Sequence, residues 1–260
     1  MERTAVITGS ASGIGRAAAE LLTERGYRVI GVDIAGADIN VDLTTPEGRA
    51  ALVTQVTERS GGVVDVVIAN AGLSSPTVAT AAVNFFGALA TLTGLRPLLA
   101  ASPAPRAVAT TSMAALFPPD ETLLQAFLAE DEPTALARAT ELAAGTPQEA
   151  NLIYGTSKQA LARWLRRVAP TPEWAGAGIA LNAVAPGVVA TPMTFDLTGT
   201  DEAKAALLQR VPMPLNGIFG PEDVAALMAW LVSEENAHLC GQVIYIDGGS
   251  DAVIRGDSTW

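Results

Sequence analysis

Tyr154 and Lys158 stand four residues apart in Tyr154-Gly155-Thr156-Ser157-Lys158, a spacing that puts a phenol and an ammonium on one face of a helix. A lone tyrosine, with an ordinary pKa of about 10, is a poor base near neutrality. A neighbouring ammonium favours the phenolate, so the spacing predicts a phenol pKa pulled downward. A group tuned in this way can give a proton to an oxygen that gains negative charge and take it back in the reverse reaction.

A second constellation handles phosphate. Gly9, Gly13 and Gly15 sit in Thr8-Gly9-Ser10-Ala11-Ser12-Gly13-Ile14-Gly15, directly after a strand pattern and at the opening of a helix pattern. Glycines at such a turn let a pyrophosphate approach the backbone, and the helix start offers free N–H groups and the positive end of its dipole. The spacing differs from the usual dinucleotide fingerprint, so its context carries the reading. Asp33 ends the next strand pattern, where a carboxylate can accept from both adenosine ribose hydroxyls and would repel a 2′-phosphate. Ser10 stands where a basic residue could have served NADP. The cofactor expected is NAD, although Asp33 could also simply cap a turn.

Further marks follow in order: Asn70-Ala71-Gly72 after one strand pattern, Ser112 after another, Pro186-Gly187 after a third, and Asp247-Gly248-Gly249 near the end. Together with the glycine loop and the Tyr154–Lys158 pair, they make nearly the whole chain resemble the short-chain dehydrogenase/reductase family. The resemblance implies that Tyr154 is the acid/base, that Lys158 also bonds the nicotinamide ribose, and that Ser112 holds the substrate oxygen. Asn84, in Val83-Asn84-Phe85-Phe86-Gly87, matches a helix asparagine that supports a water relay to the lysine. The implied cofactor contacts are Gly9, Ser12, Gly13, Ile14 and Gly15 at the pyrophosphate, with Asp33 and Ile34 at the ribose and Asp42 and Leu43 at adenine. Asn70, Ala71 and Gly72 are implied along the adenosine side. Pro186, Gly187, Val189 and Thr191 are implied at the nicotinamide end, together with Tyr154 and Lys158.

Tyr154 follows Ser112 by 42 residues, whereas a dozen or so is usual in the family. The excess forms an insertion at about 115–150. Leu123, Leu124, Phe127 and Leu128, followed by Leu136 and Leu142, predict two short helices there, folded over the active-site side or along the outer edge. This insertion, Ala37-Asp38 to Glu47-Gly48-Arg49, and the run from Ile246 to Val253 are similar to those of the bacterial 3α-hydroxysteroid dehydrogenase/carbonyl reductase group. The implied activity is NAD-dependent interconversion of a secondary alcohol and a ketone on an apolar cyclic substrate such as a 3α-hydroxysteroid. Oxidation of a terpenoid alcohol, or reduction of a small cyclic ketone or cyclic imine, fits the same residues. A catalytically silent dinucleotide sensor would ordinarily lack the tyrosine, lysine or serine. Candidate substrate contacts are Met113, Phe117, Met193 and Phe195, within a loop from Met193 to Pro214 that also carries Leu197, Leu207, Leu208, Val211 and Met213. No Arg or Lys lies in Met193–Leu197 to pair an anion, which favours an apolar ligand.

Positioning these residues requires a scaffold. Short apolar runs alternate with longer amphipathic stretches, the pattern of repeated βαβ units and a parallel sheet. Strands are expected at Thr4–Thr8, Arg28–Val32, Val64–Ala69, Arg106–Thr111, Ile179–Val184 and Gln242–Ile246, with a seventh around Ile39–Val41. Helices are expected at Gly13–Arg25, from Thr45-Pro46 through Ser60, and at Thr80–Ala100, Tyr154–Arg167 and Pro221–Val232. The expected fold is α/β: residues 1–260 form one Rossmann domain, a doubly wound parallel sheet of about seven strands with helices on both faces.

The bulk composition agrees with that scaffold. Hydrophobic residues make up 49% and charged residues 17% of the 260, enough apolar side chain for a sheet covered on both faces. A formal net charge of −11 would repel phosphate backbones and anionic lipid, which argues against nucleic-acid and membrane partners. The single cysteine, Cys240, can form no intramolecular disulfide and no thiolate cluster; no metal site is expected. Strand pattern begins at Thr4 without a basic or apolar leader, and the richest apolar runs are interrupted by Gly, Pro, Arg or Asn, so the expected address is cytoplasmic. The apolar segment around Val243–Ile254 offers an association surface, consistent with a homodimer or homotetramer.

Overall fold

The computed structural model describes residues 2–258, including every side chain among them except those of Asp196 and Leu197. Its strands are β1 (Thr4–Thr8), β2 (Arg28–Asp33), β3 (Ile39–Asn40), β4 (Val66–Ala69), β5 (Arg106–Thr110), β6 (Ala180–Pro186) and β7 (Val243–Ile246). All pair in parallel within one sheet of order β3-β2-β1-β4-β5-β6-β7. Each predicted strand is present, with ends shifted by a residue or two. The continuous apolar sequences of β1 and β4 reflect burial on both faces.

Helices flank the sheet on both sides. On one face α1 (Gly13–Glu24) packs beside α10 (Pro221–Leu231) over Ile7, Ile68, Val108 and Val184. On the other lie α2 (Pro46–Ser60), α3 (Val78–Ala81), α4 (Ala88–Ala100) and α7 (Pro147–Val168), whose apolar sides meet Val6, Val67 and Ala109. A π-helical turn, Ala82–Gly87, joins α3 to α4 without a break. The resulting span Val78–Ala100 is long and apolar enough to cross a membrane. However, 72% of its most apolar window is buried within the fold, and it serves as a core helix.

The insertion forms α5 (Glu121–Leu128) and α6 (Glu132–Ala143), the two helices that the leucine spacing predicts. They extend the α3–α7 layer outward. Phe127 packs against Phe85 and Phe86 at ring-centroid distances of 4.7 and 5.6 Å, and no residue of 113–150 lines the cavity that Tyr154 and Lys158 border. Of the two placements expected, the outer edge is therefore the one adopted. Side chains of α7 and the insertion bind each other: the Asp120 amide donates to Thr156 Oγ1 at 3.0 Å, Gln159 Nε2 to the Ala115 carbonyl at 2.9 Å, and Trp164 Nε1 to Glu130 at 3.0 Å.

Helix α7 begins at Pro147, seven residues before the start read from the sequence. Thr146 accepts from the Glu149 amide while Glu149 accepts from the Thr146 amide, a capping box with proline in the first turn. Residues 147–150 thus belong to the helix that carries Tyr154 and Lys158 instead of to the insertion. Beyond β6, the chain forms α8 (Phe195–Thr198) and α9 (Asp201–Arg210) before α10, and α11 (Ser250–Arg255) follows β7.

Candidate active site

The strand order reverses between β1 and β4, where the carboxyl ends of a doubly wound sheet open a crevice. Thr8 and Asn70 fix its floor. The Asn70 and Ala71 amides both donate to Thr8 Oγ1 at 3.0 Å, Asn70 Nδ2 donates to the Thr8 carbonyl at 3.2 Å, and Thr110 Oγ1 donates to Asn70 Oδ1 at 3.0 Å. One asparagine thereby ties together the ends of three strands.

Above that floor lies a cavity of about 350 Å³. Its wall brings together Gly9, Ser12, Gly13, Ile14, Asp33, Ile34, Asp42, Leu43, Asn70, Ala71, Gly72, Ser112, Tyr154, Lys158, Pro186, Gly187, Val189, Thr191 and Met193. Among the described lining residues, Lys158 is the one cation. The glycine turn is built for close approach. Gly9 and Gly13 have φ of 70° and 52°, and a Cβ on Gly15 would lie 2.0 Å from the Gly9 carbonyl oxygen. Gly15 therefore works by letting α1 close onto the turn and is not itself on the cavity wall.

The start of α1 fits a dinucleotide pyrophosphate. Its first turn carries no acidic residue and its N-cap, Ser12, makes no side-chain capping bond, leaving the positive helix end facing a cavity lined by Ser12, Gly13 and Ile14. Asp33 is held in place for a ribose, with Oδ2 accepting from the Ala11 amide at 2.9 Å and Oδ1 from the Ile34 amide at 2.7 Å. At the neighbouring wall the Thr44 hydroxyl and amide, donating to Asp42 Oδ1, hold the Asp42 carboxyl below its usual range.

The Tyr154–Lys158 pair departs from its sequence expectation. Lys158 Nζ donates to the Thr110 carbonyl at 2.9 Å and lies 5.9 Å from the centroid of the Tyr154 ring. Burial pushes the Tyr154 phenol up, against a smaller downward pull from its hydrogen bond with Ser112. The lowering predicted from the i, i+4 spacing is thus absent in this geometry, because the ammonium is turned to a backbone carbonyl and desolvation outweighs it. Burial also depresses the Lys158 pKa, to about 8, so both partners of the pair are driven toward neutrality.

Asn84 is fully buried in the π-helical turn and not on the cavity wall. Its Oδ1 accepts from the Leu73 amide at 2.8 Å, and its Nδ2 donates to the Leu73 carbonyl at 2.9 Å and to Ser157 Oγ at 3.1 Å. Ser157 in turn donates to the Tyr154 carbonyl at 2.7 Å. A Cβ on Gly72 would meet Asn84 Oδ1 at 2.8 Å and Lys158 Nζ at 3.3 Å, so the asparagine lies near the lysine with only a glycine between them.

The candidate substrate residues separate. Met193, half exposed, lines the cavity. Met113 is buried as the first residue of the short turn after Ser112, while Phe117 and Phe195 are exposed, and none of the three reaches the wall. Phe195 instead borders a shallow depression with Pro192 and Thr198. Met213 is buried and accepts from the Val188 amide at 3.4 Å; the Leu197 side chain lies outside the described residues. The cavity also has walls that the sequence reading missed: Val41, Thr44, Leu73, Val83, Thr110, Thr111, Pro192 and Thr194. Several of these directly adjoin a recognised mark, as Leu73 follows Gly72 and Thr111 precedes Ser112, and that adjacency was the available signal.

Comparison with known proteins identifies the family and the fold. Residues 3–124 match the family described as short chain dehydrogenase, and residues 129–251 the one described as Enoyl-(Acyl carrier protein) reductase. The chain is 33% identical to 3-alpha-hydroxysteroid dehydrogenase/carbonyl reductase of Comamonas testosteroni, over 96% of this chain and 97% of that protein. It is 31% identical to cis-4-hydroxycyclohexanecarboxylate dehydrogenase of Sinomonas cyclohexanicum, over 97% and 98%. The crystal structure of the 3-alpha-hydroxysteroid dehydrogenase from Pseudomonas sp. B-0831 complexed with NADH superposes with a TM-score of 0.88 at 37% identity, covering 98% of this chain and 99% of that one.

Proposed function

The chain belongs to the short-chain dehydrogenase/reductase family of oxidoreductases, and from that premise we propose that it is an NAD-dependent enzyme interconverting a ring-borne secondary alcohol and its ketone, such as a 3α-hydroxysteroid. The observation that carries this reading is one cavity wall that unites Ser112, Tyr154 and Lys158 with the Gly9–Ile14 turn and Asp33. Residues 1–260 act as one dinucleotide-binding domain.

Bound along the Gly9–Gly13 turn, with Asp33 at the ribose and Thr191 at the carboxamide, the nicotinamide dinucleotide would accept or supply the hydride at the carbinol carbon. The protein handles the oxygen. Ser112 holds it by hydrogen bonding, an arrangement that gains strength as negative charge develops. In oxidation Tyr154 takes the hydroxyl proton, and in reduction it returns one. A ribose hydroxyl beside Lys158 would compete with the Thr110 carbonyl for the ammonium, which can then face Tyr154 and favour the phenolate. Asn84 holds the Leu73 backbone and, through Ser157, the helical turn that carries Tyr154.

Preference for NAD follows from Asp33, whose carboxylate would repel a 2′-phosphate. An apolar ring fits the substrate end, where Leu73, Val189, Pro192 and Met193 line the wall. The two curated relatives described above are both named for a hydroxyl on a ring, and among the described residues no arginine on the wall offers a carboxylate a partner. The apolar C-terminal residues Val253 and Ile254 are exposed and suit a homodimeric or homotetrameric contact.

The test is spectrophotometric. Purified protein is incubated with NAD or NADP and a panel of 3α- and 3β-hydroxysteroids, monoterpenols and simple cyclohexanols, and absorbance of the reduced nicotinamide is followed. The expected outcome is NAD-dependent turnover of a cyclic secondary alcohol. No absorbance change with any of these alcohols, or with the corresponding ketones and NADH or NADPH, would refute the reading.

A further inference from the structure

Arg49 lies in the first turns of α2, far from Tyr154 in sequence, and is nine-tenths buried. Its guanidinium has two main sets of partners, with a third, longer contact from Nη2 to the Ala82 carbonyl at 3.5 Å. On one side Nε donates to the Leu43 carbonyl at 2.8 Å and Nη2 to the Thr44 carbonyl at 3.1 Å. On the other, Nη1 and Nη2 form a two-bond fork with Glu132 Oε2 and Oε1, each at 2.8 Å. Phe86 lies beneath, its ring centroid 5.8 Å from the guanidinium carbon. Leu43 and Thr44 are cavity wall, whereas Arg49 and Glu132 are not. Glu132 opens α6 of the insertion.

An exposed ion pair of this kind would contribute little. Here the arginine is buried, and a planar fork fixed along one edge by a carboxylate has its remaining donors aimed in a defined direction. Those donors hold two successive carbonyls of the loop that forms the adenine end of the proposed site. Without the carboxylate, a buried guanidinium charge must find other acceptors or water. Either change pulls it away from Leu43 and Thr44.

We propose that Glu132, acting through Arg49, is a positioning residue for the adenine-end wall, so that the inserted helices set the affinity for the adenine half of the dinucleotide without touching it. This rests on the dinucleotide reading above and adds a role for the insertion within it. Among the described residues, neither side chain of the pair hydrogen-bonds to β5, β6 or α7, the elements that build the nicotinamide end.

The experiment compares wild type with Glu132→Gln and Glu132→Ala. Binding of 5′-AMP and of nicotinamide mononucleotide is measured by calorimetry, alongside KM for NAD, kcat and Tm. Glu132→Gln preserves the shape of the side chain and guards against a fold lost through truncation. The expected result is a 5′-AMP Kd and an NAD KM raised about tenfold in Glu132→Ala, with kcat and nicotinamide mononucleotide binding held within about twofold. Glu132→Gln should give a smaller shift in the same sense. A lowered Tm with unchanged 5′-AMP affinity and NAD KM would overturn the proposal and leave the pair purely structural. Equal weakening of both half-ligands would overturn it as well. Wild type that binds neither 5′-AMP nor NAD would instead remove the dinucleotide reading itself, and this proposal with it.

Discussion

Tyr154 and Lys158 are both buried against their charged forms, and each direction of shift makes a prediction. In the proposed mechanism Tyr154 transfers the proton, so Tyr154→Phe should lower kcat by about 10² or more while NADH binding is kept; near-full steady-state activity would contradict the assignment. Lys158, with its pKa depressed from 10.5 to about 8, holds fewer protons in the folded than in the unfolded chain between those values. Wild-type stability should therefore gain with rising pH through that window, and below about pH 8 the buried ammonium is a full penalty. Lys158→Met abolishes that dependence. The Tm of the variant relative to wild type should be greatest at pH 7 to 8 and fall steadily toward pH 10.5, whatever its offset from the lost bond to Thr110. A difference independent of pH would contradict the cause given for the shift. At the ribose end, Asp33→Ala should raise KM for NAD and narrow the preference against NADP, measured as the ratio of kcat/KM values.

Among the elements, α7 shows most clearly what the sequence disclosed and what it withheld. The i, i+4 spacing placed Tyr154 and Lys158 on one helical face, yet it could not show that Nζ would turn to the Thr110 carbonyl on a different strand, and the sense of the phenol shift depended on that contact. Thr146-Pro147-Gln148-Glu149 carries a start signal for the helix that is local and legible, a capping box with proline in the first turn. Thr146→Ala should cost about 1 kcal/mol through the lost cap, lowering Tm by about 2–4 °C. kcat should stay unchanged in the same preparation, since Tyr154 lies two turns further on. The strands and the glycine turn were readable because period and turn residues are local properties. The inward or outward aim of Met113, Phe117 and Phe195 was not, since an apolar side chain packs equally well into a core or along a cavity. The π-helical turn at Asn84 left no sequence mark at all, although its neighbours Phe85 and Phe86 seat the insertion.

For the whole molecule, the tie that Asn70 makes between the ends of β1, β4 and β5 means that the crevice holds its shape through the sheet itself. Deuterium uptake should consequently be slow at the amides of Asn70 and Ala71 both with and without NADH. Protection gained on adding the nucleotide should fall instead on Met193 to Arg210, the outer segment whose helix α9 buries none of its residues. Recognition would then draw its entropy cost from the rim of the molecule while the floor stays still, as in a vice with one fixed jaw.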